Sequence, residues 1–400
     1  MPAPALDTRV WRVVGDPLVA GSGAGPLHGE TVAVKDLYAV AGHPVGAGNS
    51  TWLAEAAPET AHAGAVARLL AAGADVRGIA RTDELAYSLA GSNHHHGTPP
   101  NPRAPGRVPG GSSSGSASAV SLGHATIGLG TDTGGSVRVP AAYQGLHGLR
   151  TSHGRVDRSG LLPLAPSFDT VGWLTRSAAL LRSVGDVLLP PPTAGAEAAP
   201  IEQGDLVLLG DLTALAEPDV ADAVLAWARD RDVHPETWAG AAQLPAWLDA
   251  FRTWQAYEAW QAHGARLEGR LDTLGPDVRG RFETARGVDE ASATAAYEVV
   301  QTARDRIMDL IGDRVLVLPS AASVAPTPTG AGAAREATMR LTCLAGLVGA
   351  PARSVPTTTR DGLPAGVCLV AAPGRDRALL RFAASDDATA SRASVDDRRP

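Results

Sequence analysis

Residues 130–140 read Gly130-Thr131-Asp132-Thr133-Gly134-Gly135-Ser136-Val137-Arg138-Val139-Pro140. An apolar run, Ala125 to Leu129, reads as a strand entering this stretch. Pro140 to Tyr143 reads as lying near the start of a short helix, with Gly130 to Gly135 as a tight loop between. A strand, a glycine loop and a helix in that order indicate an α/β protein. The glycines permit a sharp turn and let a substrate carbonyl approach the main chain. Successive N–H groups at such a turn can stabilise a developing oxyanion. A Gly-rich nest for phosphate is the alternative reading, although no lysine follows the glycines as a Walker loop requires.

Working outward, Gly110-Gly111-Ser112-Ser113-Ser114-Gly115-Ser116-Ala117 closes a Pro/Gly/Ser loop that starts near Pro99, and Ala117 to Leu122 reads as helix. Further upstream, Thr31 to Val34 is a strand running into Lys35, Thr60 to Ala72 has helical spacing, and Asp75 to Ala80 is another strand. Lysine and arginine together number 35, yet Lys35 is the sole lysine. Most surface lysines can become arginine at little cost. A general base cannot, because a guanidinium does not deprotonate in proteins, whereas burial lowers a lysine amine toward neutrality.

A nucleophilic serine needs a group to take its proton. Eleven histidines make a Ser-His-Asp arrangement worth weighing, and Gly111 to Gly115 matches G-x-S-x-G at Ser113. That elbow needs a buried strand before it, and Ala104-Pro105-Gly106-Arg107-Val108-Pro109-Gly110 cannot supply one. His94-His95-His96 resembles a metal cluster only superficially, since adjacent histidines point in different directions and no carboxylate stands at ligand spacing.

The 400 residues carry a net charge of -7, which gives no reason to expect nucleic acid or an anionic membrane as partner. Apolar runs are short and broken, so no membrane span is expected. Residues 1–25 lack the pattern of a secretory leader, and the expected location is cytoplasmic. Cys343 and Cys368 are too few for a disulfide framework and are expected as reduced core thiols. One domain is expected over 1–384, with a Pro/Ala/Gly linker at Leu188 to Gly204, a helical elaboration over about 212–311, and a disordered tail over 385–400. Leu206 to Leu209, Val315 to Leu318 and Gly366 to Val370 read as strands. The tryptophans of the helical region read as core or pocket wall.

Taken together and in order, Lys35, the Ser112 loop and the Ser136 loop resemble the amidase signature family. The likeness runs from about Gly29 to Ser177 and resumes at Val315 to Ala383, through Gly362-Leu363-Pro364-Ala365-Gly366-Val367. It implies an α/β/α fold around a large mixed sheet with helices on both faces. It also implies catalytic Lys35, Ser112 and Ser136, the two serines 24 residues apart. Ser136 would attack the amide carbonyl, and Ser112, expected after a cis peptide bond, would relay the proton to a neutral Lys35. The N–H groups of Thr133, Gly134, Gly135 and Ser136 would form the oxyanion hole. Ser113, Asp132 and Arg138 would support that machinery. A small-molecule amide is the implied partner, a homodimer is compatible, and neither metal nor organic cofactor is required.

Ser114 departs from the family's usual glycine. With Ser136 to Ala141, Phe168-Asp169-Thr170-Val171-Gly172-Trp173, Asn93, Gly97-Thr98-Pro99 and Val108-Pro109-Gly110, it resembles plant-type indole-3-acetamide amidases and their bacterial relatives. Ala256-Tyr257-Glu258-Ala259-Trp260 is expected near the acyl pocket, where aromatic walls would favour an arylacetamide. The ammonia-releasing chain of a glutamine-dependent amidotransferase and a non-catalytic scaffold are the rival functions.

Overall fold

The computed structural model describes residues 7–191, 199–330, 332 and 334–382. The expected tail over 385–400 lies outside them, as does the middle of the expected linker.

Eleven strands form one mixed sheet: β1 (Trp11–Val19), β2 (Thr31–Lys35), β3 (Asp75–Ala80), β4 (Ile127–Asp132), β5 (His147–Arg150), β6 (Thr170–Thr175), β7 (Leu206–Leu209), β8 (Pro235–Glu236), β9 (Val315–Pro319), β10 (Ala352–Thr358) and β11 (Pro364–Val370). Their order is β1-β3-β2-β4-β6-β5-β10-β11-β9-β7-β8. β2 is parallel to both neighbours, β3 and β4, and residues Val32, Ala33 and Val34 are wholly buried. An interior parallel strand is covered on both faces, which explains the unbroken apolar run leading into Lys35. Antiparallel pairs β4–β6, β6–β5 and β5–β10 then carry the sheet past the Ser136 loop.

β4 extends to Asp132, so the first three residues of the expected tight loop are strand. The turn shortens to residues 133–137, and the helix Arg138–Gln144 follows. Gly145 ends that helix in the left-handed region, φ 62°, a conformation that favours glycine. The chain thereby returns into β5 beside β4's partner. The helix Ser114–Ser121 also starts earlier than the sequence suggests and is buried along nearly its whole length. A Cβ on its Gly115 would lie 2.4 Å from the Arg81 carbonyl oxygen, so glycine is what lets it press against that segment.

The helical region comprises Pro218–Arg229, Leu244–Leu267, Pro276–Arg286 and Glu290–Ile311. Trp247 is buried there with Phe251 and Phe282 in the largest apolar cluster, so these aromatics serve mainly as core. Cys343 and Cys368 are buried free thiols.

Candidate active site

Three chain segments converge at the C-terminal end of β2. Lys35 is its last residue and has no solvent exposure. Its Nζ lies 2.8 Å from Ser112 Oγ, 3.1 Å from Ser113 Oγ and 2.7 Å from Thr131 Oγ1. Burial pushes the Lys35 ammonium down to about 7, against the opposing charges of Asp83, Asp132 and Asp169. A lysine in that range can hold or release a proton near neutrality.

Ser112 follows a cis Gly111–Ser112 peptide bond. Its carbonyl accepts from Asp83 N–H at 3.2 Å and from Thr82 Oγ1 at 2.8 Å, which fixes the loop to the end of β3. Gly111 cannot carry a side chain here, because a Cβ would fall 2.2 Å from Asp83 Oδ2. Ser114, the departure from the usual glycine, donates to Asp83 Oδ1 at 2.9 Å. Ser113 Oγ lies within 3.3 Å of both Thr131 N–H and Thr131 carbonyl oxygen, tying the serine loop to β4.

Ser136 sits in the turn after β4, and its carbonyl accepts from Ser113 N–H at 3.3 Å. The two serine loops therefore adjoin through their backbones. Ser136 is 4 % exposed and lines a narrow cavity of about 20 Å³, together with Thr133 and Gly134 of the same turn. Tyr87, Leu164 and Met339 give it apolar walls, and Gln255 and Arg335 add polar ones. The expected contribution of Tyr257 and Trp260 is corrected: of that helix only Gln255 reaches the lining among the described residues, while Tyr257 stacks on Trp254.

Of the four amides expected at the oxyanion hole, that of Gly135 is already donated to Asp132 Oδ1 at 2.9 Å. The N–H groups of Thr133, Gly134 and Ser136 have no acceptor among the described residues, so three donors rather than four stand free. Gly135 has φ 120°, and a Cβ there would lie 2.9 Å from Thr342 Cγ2. Thr342 Oγ1 in turn donates to Gly134 carbonyl oxygen at 2.6 Å.

Asp132 organises this turn. Its carboxylate also accepts from Val137 N–H at 3.2 Å and from Arg138 Nε and Nη2 at 3.0 and 2.8 Å. Arg150 Nη1 adds a contact at 3.2 Å. Burial would raise this carboxyl, but the Arg138 and Arg150 charges outweigh it and hold it well below the usual carboxylate range. A permanently ionised, saturated carboxylate is a scaffold for the turn and a poor proton carrier.

Sequence reasoning did not find Thr131, Asp83, Arg150 or Arg335. Thr131 lies inside the quoted motif and could have been singled out; the others come from distant segments with no local signature. His94–His96 form no donor cluster: His95 Nε2 contacts Glu84 Oε1 at 2.8 Å, and no group of three metal-type ligands occurs among the described residues.

The amidase family profile matches residues 16–206. Amidase 1 of Arabidopsis thaliana is 35% identical, over 93% of this chain and 95% of that protein. The chain belongs to the amidase signature family. This amidase is also 33% identical to a glutamyl-tRNA(Gln) amidotransferase chain of Chloroflexus aurantiacus strain J-10-fl, over 90% of this chain and 82% of that one. Among solved structures, an amidase crystal structure superposes with a TM-score of 0.81 at 30% identity, covering 91% of this chain and 85% of that chain. The α/β fold with its large mixed sheet is thus the family's own. The amidase is an amide-hydrolysing enzyme, and no helix among its described residues is long and apolar enough to cross a membrane.

Proposed function

We propose that this amidase hydrolyses the C–N bond of a small primary amide to a carboxylate and ammonia through an acyl-enzyme on Ser136. The observation that carries the reading is Lys35, wholly buried, poised near neutrality and 2.8 Å from Ser112 Oγ. Ser136 Oγ attacks the amide carbon as its proton passes to Ser112 Oγ and the Ser112 proton passes to Lys35 Nζ. The oxyanion is held by the free amides of Thr133, Gly134 and Ser136, worth several kcal/mol in a site shut off from water, about 2.7–4 per donor elsewhere. Lys35 then returns the proton through Ser112 to the leaving nitrogen, the C–N bond breaks, and ammonia departs. Water attacks the ester by the same relay in reverse and frees the acid.

The cavity at Ser136 is narrow, about 20 Å³ against the usual ~300–1,000 Å³ of ligand pockets, which favours a small acyl group. The likeness to plant-type enzymes makes an arylacetamide, with indole-3-acetamide first, the neutral substrate to try. The amidotransferase relative at 33% identity favours a second reading, release of ammonia from glutamine for a partner protein.

Ammonia release from a panel of aliphatic amides, arylacetamides and glutamine tests the choice. Turnover of several small primary amides by the isolated chain supports the hydrolase reading. Activity on glutamine alone, rising with a co-purifying partner, would move the function to the amidotransferase class.

A further inference from the structure

The amidase cavity contains one strong group that the hydrolytic relay leaves idle. Arg335 lines the same cavity as Ser136, yet no hydrogen bond or ion pair involves its side chain among the described residues, and its Nε is buried without a partner. The nearby carboxylates are taken. Asp277 pairs with Arg281 at 2.6 Å, and Glu336 pairs with Arg340 at 2.7 Å and faces Arg252 at 3.6 Å.

Its position makes the missing partner costly. Arg335 is the first residue of the helix Arg335–Val348, where the helix dipole is unfavourable to a cation. Burial, followed by the charges of Arg281 and Arg252, pulls its guanidinium down to about 10. The guanidinium is half-buried, with only its Nε cut off from solvent, and it stands beside other cations without a protein partner, so an anion entering the cavity is its natural complement. The complementary group is a carboxylate, which a guanidinium can grip through two parallel hydrogen bonds.

We propose that Arg335 is a specificity-determining residue that binds a carboxylate on the acyl portion of the substrate. The substrate class is then the half-amide of a short dicarboxylic acid, one end presented to Ser136 and the other to Arg335, with Tyr87, Leu164 and Met339 around the methylenes. An uncharged arylacetamide leaves the guanidinium unpaired and ranks below it. The inference rests on Ser136 marking the reactive end of the cavity, as in the hydrolase reading.

The test compares succinamate with butyramide, a matched pair differing in the carboxylate, on wild type, Arg335→Met and Arg335→Lys. Hydrogen bonds to charged groups lead us to expect wild type to favour succinamate by about ten- to a hundredfold in kcat/KM. The preference should be expressed mainly in KM, collapse in Arg335→Met and survive in part in Arg335→Lys. A wild-type ratio near one, or a ratio unchanged in Arg335→Met, overturns the proposal. If neither amide is cleaved, calorimetric titration with succinate decides the anion site separately from the hydrolase reading, which the wider amide panel tests. Binding lost in Arg335→Met supports the site; no binding, or binding retained in the variant, refutes it.

Discussion

Asp132 and Arg138 form a two-pronged ion pair with no solvent exposure on either side chain, Nε to Oδ2 at 3.0 Å and Nη2 to Oδ1 at 2.8 Å. The same carboxylate receives the amides of Gly135 and Val137, so the pair shapes the turn that carries Ser136. Removing one partner strands a buried charge. Arg138→Leu and Asp132→Ala should each lower the unfolding free energy by about 3–5 kcal/mol, measured by urea titration. A loss below about 1 kcal/mol, the scale of an exposed pair, would show that the charges are compensated elsewhere.

The pH dependence of turnover follows from the state of Lys35. The amine accepts a proton only when neutral, and its folded value is about 7. From low pH, kcat/KM should rise about tenfold per pH unit and level above the Lys35 value. Lys35→Ala and Lys35→Arg should both lose about 10²–10⁴-fold in kcat with unchanged far-UV dichroism, since arginine restores charge but no base. Substantial turnover by Lys35→Arg would rule out the neutral-base role.

Thr131 offers a subtler test, because its hydroxyl contacts Lys35 Nζ at 2.7 Å. Thr131→Val keeps the shape and removes that partner, which favours the charged amine. We expect a drop in kcat of roughly two- to tenfold, the scale of one ordinary hydrogen bond, and a midpoint of the pH profile moved to lower pH. A profile and rate identical to wild type would mean that Ser112 and Ser113 position the amine alone.

Much of this site is legible in the sequence because its chemistry sits in two short glycine–serine loops and at the end of an apolar strand. Lys35 Nζ reaches Ser112 Oγ at 2.8 Å, and the Ser112 loop touches the Ser136 loop through the Ser113 N–H and Ser136 carbonyl. Strands β5 and β10 are harder to read. His147-Gly148-Leu149-Arg150 and Ala352-Arg353-Ser354 look too polar for an interior, yet both segments are buried. Arg150 is compensated by Asp132 and by the Phe168 carbonyl oxygen at 2.9 Å, and Arg353 donates to the carbonyl oxygens of Leu379 and Leu380. Such compensation comes from tertiary contacts that no local window holds. The same reason hides Asp83, which is bonded to the Ser112 loop, and Gln255 and Arg335, which line the cavity at Ser136 only once distant segments meet.

The central claim is that Ser136 becomes acylated. Turnover of a good amide substrate quenched in acid, followed by peptide mapping by mass spectrometry, locates the acyl group directly. The account predicts an ester on the peptide containing Ser136, absent from Ser136→Ala and replaced by free hydroxamate when hydroxylamine is present. An adduct on Ser112 or Ser113, or steady turnover by Ser136→Ala, would contradict it.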